Sequence, residues 1–407
     1  MNMKKILIFT LILAFSLGLV FSVGAEEAEI TPSEEEYIEH RPEPELQSTT
    51  SFEKAKIISI EDKSEVFETE EGERIEAYRE IGVKMLSGAH EGEETFFKDS
   101  PQTNPFGMEF EIGQKLLLYI EDMGDGSWTV SIDSFYRVPE LLWLIVIFFI
   151  FLIILGGVRK GLKTILSLVV AVILIFKVLV PAILSGYSAL LITFILALVI
   201  SAITLILVGG RNKKSYAAIL GTLGGVIVAF IISFLFAKAA SLIGLSTEEG
   251  RLLASTNPDI DPRGIFLSGI LVGALGAAMD VAIGVASAVK EVSDANQGSG
   301  LKKLFKSGMN VGRDVIGTMS NTLIFAYVGA ALPTILLFQQ LGESWLKFLN
   351  FNFIADEVVR SVGGSIGLVA VIPLTALIAA YFYRKKEEKS VKPTLPEGII
   401  RRSIDKK

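Results

Sequence analysis

Asp280 stands near the middle of GALGAAMDVAIGVASAVKEV, residues 273–292, a run of Gly, Ala and Val that otherwise reads as a membrane segment. Insertion scales charge about 2.5–3.5 kcal/mol for an Asp at a helix centre, so this carboxyl group must be paired, hydrated or protonated. Gly269, Gly273, Gly276, Ala277, Gly284, Ser287 and Glu291 recur around it at steps of three and four, which places them on one helical face. Small residues let helix backbones approach closely in lipid, so this face is expected to be a packing surface or a cavity wall, with Asp280 inside the bundle. Two roles fit such a residue: hydrogen-bonded glue between helices, or an ion, proton or substrate site.

The next apolar run, GMNVGRDVIGTMSNTLIFAYVGAALP, carries a second polar stripe: Asn310, Asp314, Gly317 and Asn321 fall on one helical face, with Thr318 beside it. Arg313 and Asp314 lie near a span end, where charge is tolerated as readily for interfacial as for functional reasons. Asn321 lies deeper. In the last run, EVVRSVGGSIGLVAVIPLTA, Arg360 sits near one end with Asp356 four residues earlier as its expected partner. Gly364 and Gly367 continue the Arg360 face, and Pro373 is positioned to break the helix. Polar or glycine-rich faces on three successive spans predict a shared interior path. Lys177, some seven residues from a span end, reads as a snorkelling residue.

Enzyme readings fare worse. Gly363-Gly364-Ser365-Ile366-Gly367 fits G-x-S-x-G, but that motif needs a strand-to-helix elbow and a general base. The two His residues, His40 and His90, both lie outside the apolar runs. An aspartyl protease needs two carboxyls sharing a proton, whereas Asp280 is placed near mid-span and Asp314 near a span end. The run from Gly156 to Thr164 has one residue too many before its Lys for a phosphate-binding loop. With no Cys in the chain, disulfides and thiolate metal sites are excluded. No catalytic residue, cofactor or metal ligand is therefore assigned.

These residues need a membrane bundle to position them, and the bulk numbers supply one: the chain is 51% hydrophobic with a mean hydropathy of +0.52. Apolar runs long enough to cross a bilayer lie at about 141–158, 164–184, 188–208, 216–238, 264–289, 314–338 and 360–383. Residues 1–25 read as a signal peptide, with Lys4 and Lys5, an apolar run and Val23-Gly24-Ala25 as the cleavage site. An acidic flexible segment follows over 26–51. Five short alternating runs over 52–138, separated by turns such as Gly124-Asp125-Gly126, predict a small extracytoplasmic β-barrel, OB-like in size. The membrane domain then spans 139–383, with a basic tail over 384–407. Lys and Arg gather in the loops around 159–163, 211–214 and 290–313 and after Tyr383. By the positive-inside bias those loops and the C-terminus are cytoplasmic, while the β domain and the loops around 246–262 and 342–357 are outside.

The texts MDVAIGVASAVKEV, KSGMNVGRDVIGTMSNTLIFAYVGAALP and RSVGGSIGLVAVIPLTALIAAY resemble the YibE/F-like bacterial membrane proteins, over about Gly156 to Tyr383. The resemblance implies a multipass plasma-membrane protein and carries over no catalytic residues. Two classes of function remain. Polar groups lining a path through Gly-rich helices point to transport of an ion or small solute. The second is a non-transport envelope scaffold whose β domain docks an envelope protein. The partners implied are the lipid bilayer, that envelope protein and, across small-residue helix faces, an oligomer; no nucleic-acid partner is implied.

Overall fold

The computed structural model of the chain describes residues 49–384 apart from 70–71, 101–102, 105–106, 124–126 and 297–298, and side chains outside 65–76. The expected signal peptide, most of the acidic segment, the Gly124-Asp125-Gly126 turn and the tail beyond Arg384 lie outside the described residues. Contacts divide the chain into two compact units, one up to Phe148 and one from Phe149.

The first unit is a five-stranded antiparallel sheet: β1 (Thr49–Thr69), β2 (Gly72–Met85), β3 (Glu94–Asp99), β4 (Lys115–Asp122) and β5 (Trp128–Phe135), in the order β3-β2-β1-β4-β5. Alternate residues point inward, so Ala55, Ile57, Ile81, Val83, Leu116, Leu118 and Ile120 form one buried face. β1 begins at Thr49, ahead of the expected start at 52, because Thr49–Ser51 pair with the end of β4. The barrel expectation needs correction: the sheet curls into a half-barrel, and among the described residues no ladder joins β3 to β5.

Nine helices follow among the described residues: α1 (Val138–Gly156), α2 (Val158–Leu184), α3 (Ala189–Gly209), α4 (Lys213–Ala239), α5 (Glu248–Thr256), α6 (Pro262–Ala295), α7 (Leu301–Gln340), α8 (Trp345–Leu349) and α9 (Asn352–Tyr383). All except α5 and α8 are long and apolar enough to cross a membrane. Local chemistry sets several starts. Asn212 accepts the Ser215 N–H at the head of α4, and Asp261 accepts the Arg263 N–H ahead of Pro262 at the head of α6. In α2 the backbone widens to a π turn over Ile175–Leu179, just ahead of Pro181, which cannot donate the regular helical bond. Lys177 is exposed on that turn. α6, α7 and α9 run well beyond the apolar runs, since their polar ends continue the same packing stripes.

The tightest approach is between the antiparallel helices α4 and α9. Gly225 meets Gly367 so closely that a methyl group on either would lie 2.9 or 2.8 Å from the other's carbonyl oxygen. One turn to each side, Val371 packs on Gly225 and Ala229 on Gly367; further out, Thr375 covers Gly221 and Ser233 covers Gly363. The two hydroxyls are buried without a conventional partner, and their oxygens occupy the space a glycine side chain would need, where Cα–H groups serve as weak donors. Gly363 and Gly367 of the G-x-S-x-G text are thus helix-packing residues, and Ser365 donates to the Ser320 carbonyl of α7 at 3.3 Å. Pro373 does not break α9. The contacts of Ile372 with Gly312 and of Ala376 with Gly308 hold the helix on α7 to either side of it.

Gly225→Leu is expected to cost about 3 kcal/mol or more, the upper end of overpacking, because the obstruction is backbone. Leu220→Met, on the exposed side of the same helix, should change little. Thermal unfolding of the purified chain in detergent separates the two.

Candidate functional site

Arg360 is the centre of a polar cluster where α6, α7 and α9 meet. Its guanidinium lies 5.2 Å from the ring centroid of Phe266 on α6 and 5.9 Å from that of Tyr327 on α7, an arrangement in which ring faces attract the cation. Gly269 makes the approach possible: a methyl there would sit 3.3 Å from Arg360 Nη1. Gly273, one turn along, leaves room for the Tyr327 hydroxyl. The expected ion pair with Asp356 is corrected: Arg360 Nε lies 3.4 Å from Glu357 Oε1, three residues back. Asp356, only 2% exposed, turns to the buried flank of α9 and faces the Ser246 hydroxyl of the loop before α5. Glu357 Oε2 and Arg360 Nε are buried without a hydrogen bond, so the cluster holds a cation and a carboxylate with bonding capacity to spare.

The other candidates stand elsewhere. Asp280 does not lie inside the bundle of one chain; it is exposed on a narrow strip of α6 with Gly273, Gly276 and Gly284, opposite the buried Leu271, Ala278, Ala282, Val285 and Val289. No hydrogen bond or ion pair with a described residue engages its carboxylate. Asn310, Asp314, Thr318 and Asn321 are likewise exposed, on the side of α7 opposite Gly308, Gly312 and Leu323, which pack on α6 and α9. The shared path through the interior of a single chain is therefore absent for these residues. Height is nonetheless shared. Gly308 meets Val289 and Tyr327 covers Gly273, so the antiparallel register of α6 and α7 sets Gly317 level with Asp280.

Three members of the Arg360 cluster, Phe266, Tyr327 and Glu357, are not among the residues the sequence singles out. Tyr327 had a signal, since it extends the run Leu304, Gly308, Gly312, Leu323 that forms the packed side of α7. Glu357 had only its i, i+3 spacing from Arg360.

Seven bilayer-length apolar helices packed around glycine contacts define a multipass helical membrane protein. The family model described as YibE/F-like protein matches residues 144–385, and the chain belongs to that family. No curated protein and no solved structure matches the chain.

Truncating Arg360 to Ala leaves Glu357 half-buried and unpaired, which should destabilise the bundle by about 3–5 kcal/mol. The double variant Arg360→Met/Glu357→Gln should recover most of that loss. A double-mutant cycle on thermal unfolding reads the coupling.

Proposed function

We propose that this protein moves a small ion or solute across the bacterial plasma membrane, with Asp280 as the group the cargo meets. The observation that supports it is a carboxyl without a partner on an open glycine strip of a membrane-length helix. A structural aspartate would be expected to hold a hydrogen bond; a group that exchanges cargo must leave its acceptor capacity free. The Arg360–Glu357–Tyr327 cluster, two to three turns further along the same face of α6, supplies a second polar station. The half-barrel and the loops around 246–262 and 342–357 would face outward, and the Lys- and Arg-rich turns inward.

A second reading, an envelope scaffold, is favoured by the half-barrel itself. Asp62, Lys63, Tyr78, Arg79 and Asp99 line a pocket of about 550 Å³ on its surface, and Arg79 is fixed there by a 2.6 Å bond to the buried Asp99. A pocket of mixed charge suits a polar segment of an envelope protein.

Ion and metabolite profiling of cells with and without the protein, followed by flux into proteoliposomes, separates the readings. Transport predicts a changed profile, modification of Asp280 by a hydrophobic carbodiimide, and normal accumulation of Asp280→Asn with flux abolished. Full flux in the Asn variant together with an unmodified Asp280 would return the residue to a structural role. Orientation has its own test, because the native chain has no Cys. An impermeant thiol reagent applied to intact cells should label Leu252→Cys on exposed α5 and spare Lys302→Cys at the head of α7; the reverse pattern would invert the topology.

A further inference from the structure

We propose that α8 is an interfacial anchor, seated in the boundary layer of the bilayer with Trp345, Leu346 and Leu349 among the acyl chains and Lys347 in water. The contact is independent of whether the protein moves cargo.

The connection from α7 to α9 covers only residues 341–351, and its text LGESWLKFLNF sorts by side. Ser344 starts the short helix by accepting the Lys347 N–H at 3.3 Å. With a turn every 3.6 residues, Trp345, Leu346 and Leu349 share an arc of about 100°, and Lys347 stands on the far side. There it pairs with Glu343. Apolar and charged side chains divided in this way are what a helix lying in a membrane surface needs.

The apolar side is bare in the folded chain. Trp345 is 74% exposed and Leu346 76%, with Leu349 also exposed. The opposite flank is held firmly. Phe348 packs edge-on against Phe338 at the end of α7, with ring centroids 5.6 Å apart, and Phe351 reaches the same ring at 5.0 Å. Trp345 meets Phe348 edge-on at 5.4 Å. The chain therefore fixes the helix in place while leaving its outer side without cover among the described residues.

What covers that side follows from what it continues. α7 is a bilayer-length helix whose last turns leave Leu332, Leu336 and Leu337 exposed, and exposed Leu341 carries the apolar surface on toward Trp345. Side chains that meet acyl chains along a span go on meeting them where the chain turns at the boundary, and Trp is the residue enriched at that level. The other short helix makes the contrast. α5 carries Glu248, Glu249 and Arg251, with Leu252 as its one large apolar side chain that is exposed, a composition suited to water.

Depth follows from the anchor. α9 starts at Asn352, directly after this connection, and Arg360 lies about 12 Å further along it. A hydrocarbon layer has a half-thickness of about 15 Å, so α8 holds the Arg360 cluster within the apolar layer.

Single-Cys variants of the full chain, labelled with a small environment-sensitive fluorophore in phosphatidylcholine vesicles, test this. Zwitterionic lipid suffices because Glu343 and Lys347 cancel each other's charge. Labels on Leu346→Cys and Leu349→Cys should be quenched by spin-labelled phospholipid and spared by aqueous iodide, whereas Lys347→Cys and Leu252→Cys should show the reverse. Iodide quenching at all four positions would put α8 in water and overturn the proposal. Protection of positions 346 and 349 from both quenchers would mean that protein covers them, and would overturn it equally. Adding Leu346→Asp, a change at an exposed position, should leave accumulation normal and cut lipid quenching of the Leu349→Cys label by about half or more; undiminished quenching would also overturn the anchor.

Discussion

The contact between α4 and α9 is the constraint on which the membrane unit depends. In lipid there is no hydrophobic gain from bringing two apolar helices together, so association rests on packing, and packing is best where backbones touch. Gly225 and Gly367 provide that touch, with Gly221 and Gly363 extending it toward both ends. Because α9 is held against α4 on one side, its other sides are free to receive α6 and α7. Gly308 and Gly312 of α7 accept Ala376 and Ile372, and Gly364 lies between Leu323 and Ala274. The placement of Arg360 over Phe266 and Tyr327 follows from these contacts, since the same helix carries both the glycines and the arginine.

Length and apolarity were enough to find the seven spans, because a bilayer imposes a minimum run that few soluble segments satisfy. Positions of the five strands were legible for a similar reason: alternation in AKIISIED or KLLLYIED has one sheet face to serve. Closure into a barrel was not legible. It depends on whether β3 and β5 find each other's edges, which is a property of curl and loop length between distant strands and leaves no mark on either strand's own sequence.

The glycines were legible as small residues but not as to which partner they serve. Those of GGSIG and of GTLGG meet within the chain, whereas those around MDVAIG meet nothing in it. Both sets obey the same spacing rule on their own helices. What separates them is the presence of a complementary stripe at the matching height, and that depends on the order in which helices surround α9. The same limit explains Asp356 and Glu357: both are within a turn of Arg360, and the choice falls to Glu357 because the aspartate turns into the buried flank against Ser246.

Asp280 illustrates what polarity in a membrane chain does and does not say. Its presence in a span is a statement about solvation: some group other than a lipid tail must accept it. The statement does not say whether that group belongs to the same chain. Packing then narrows the choice, because the residues filling the rest of α6, from Leu271 to Val289, leave one strip open, and that strip holds the carboxylate with the glycines on either side. A polar residue placed at the centre of a fully packed helix would have been glue. Placed on the one unpacked strip, beside a neighbour helix whose outer side is also polar, it keeps a carboxylate that no described residue engages.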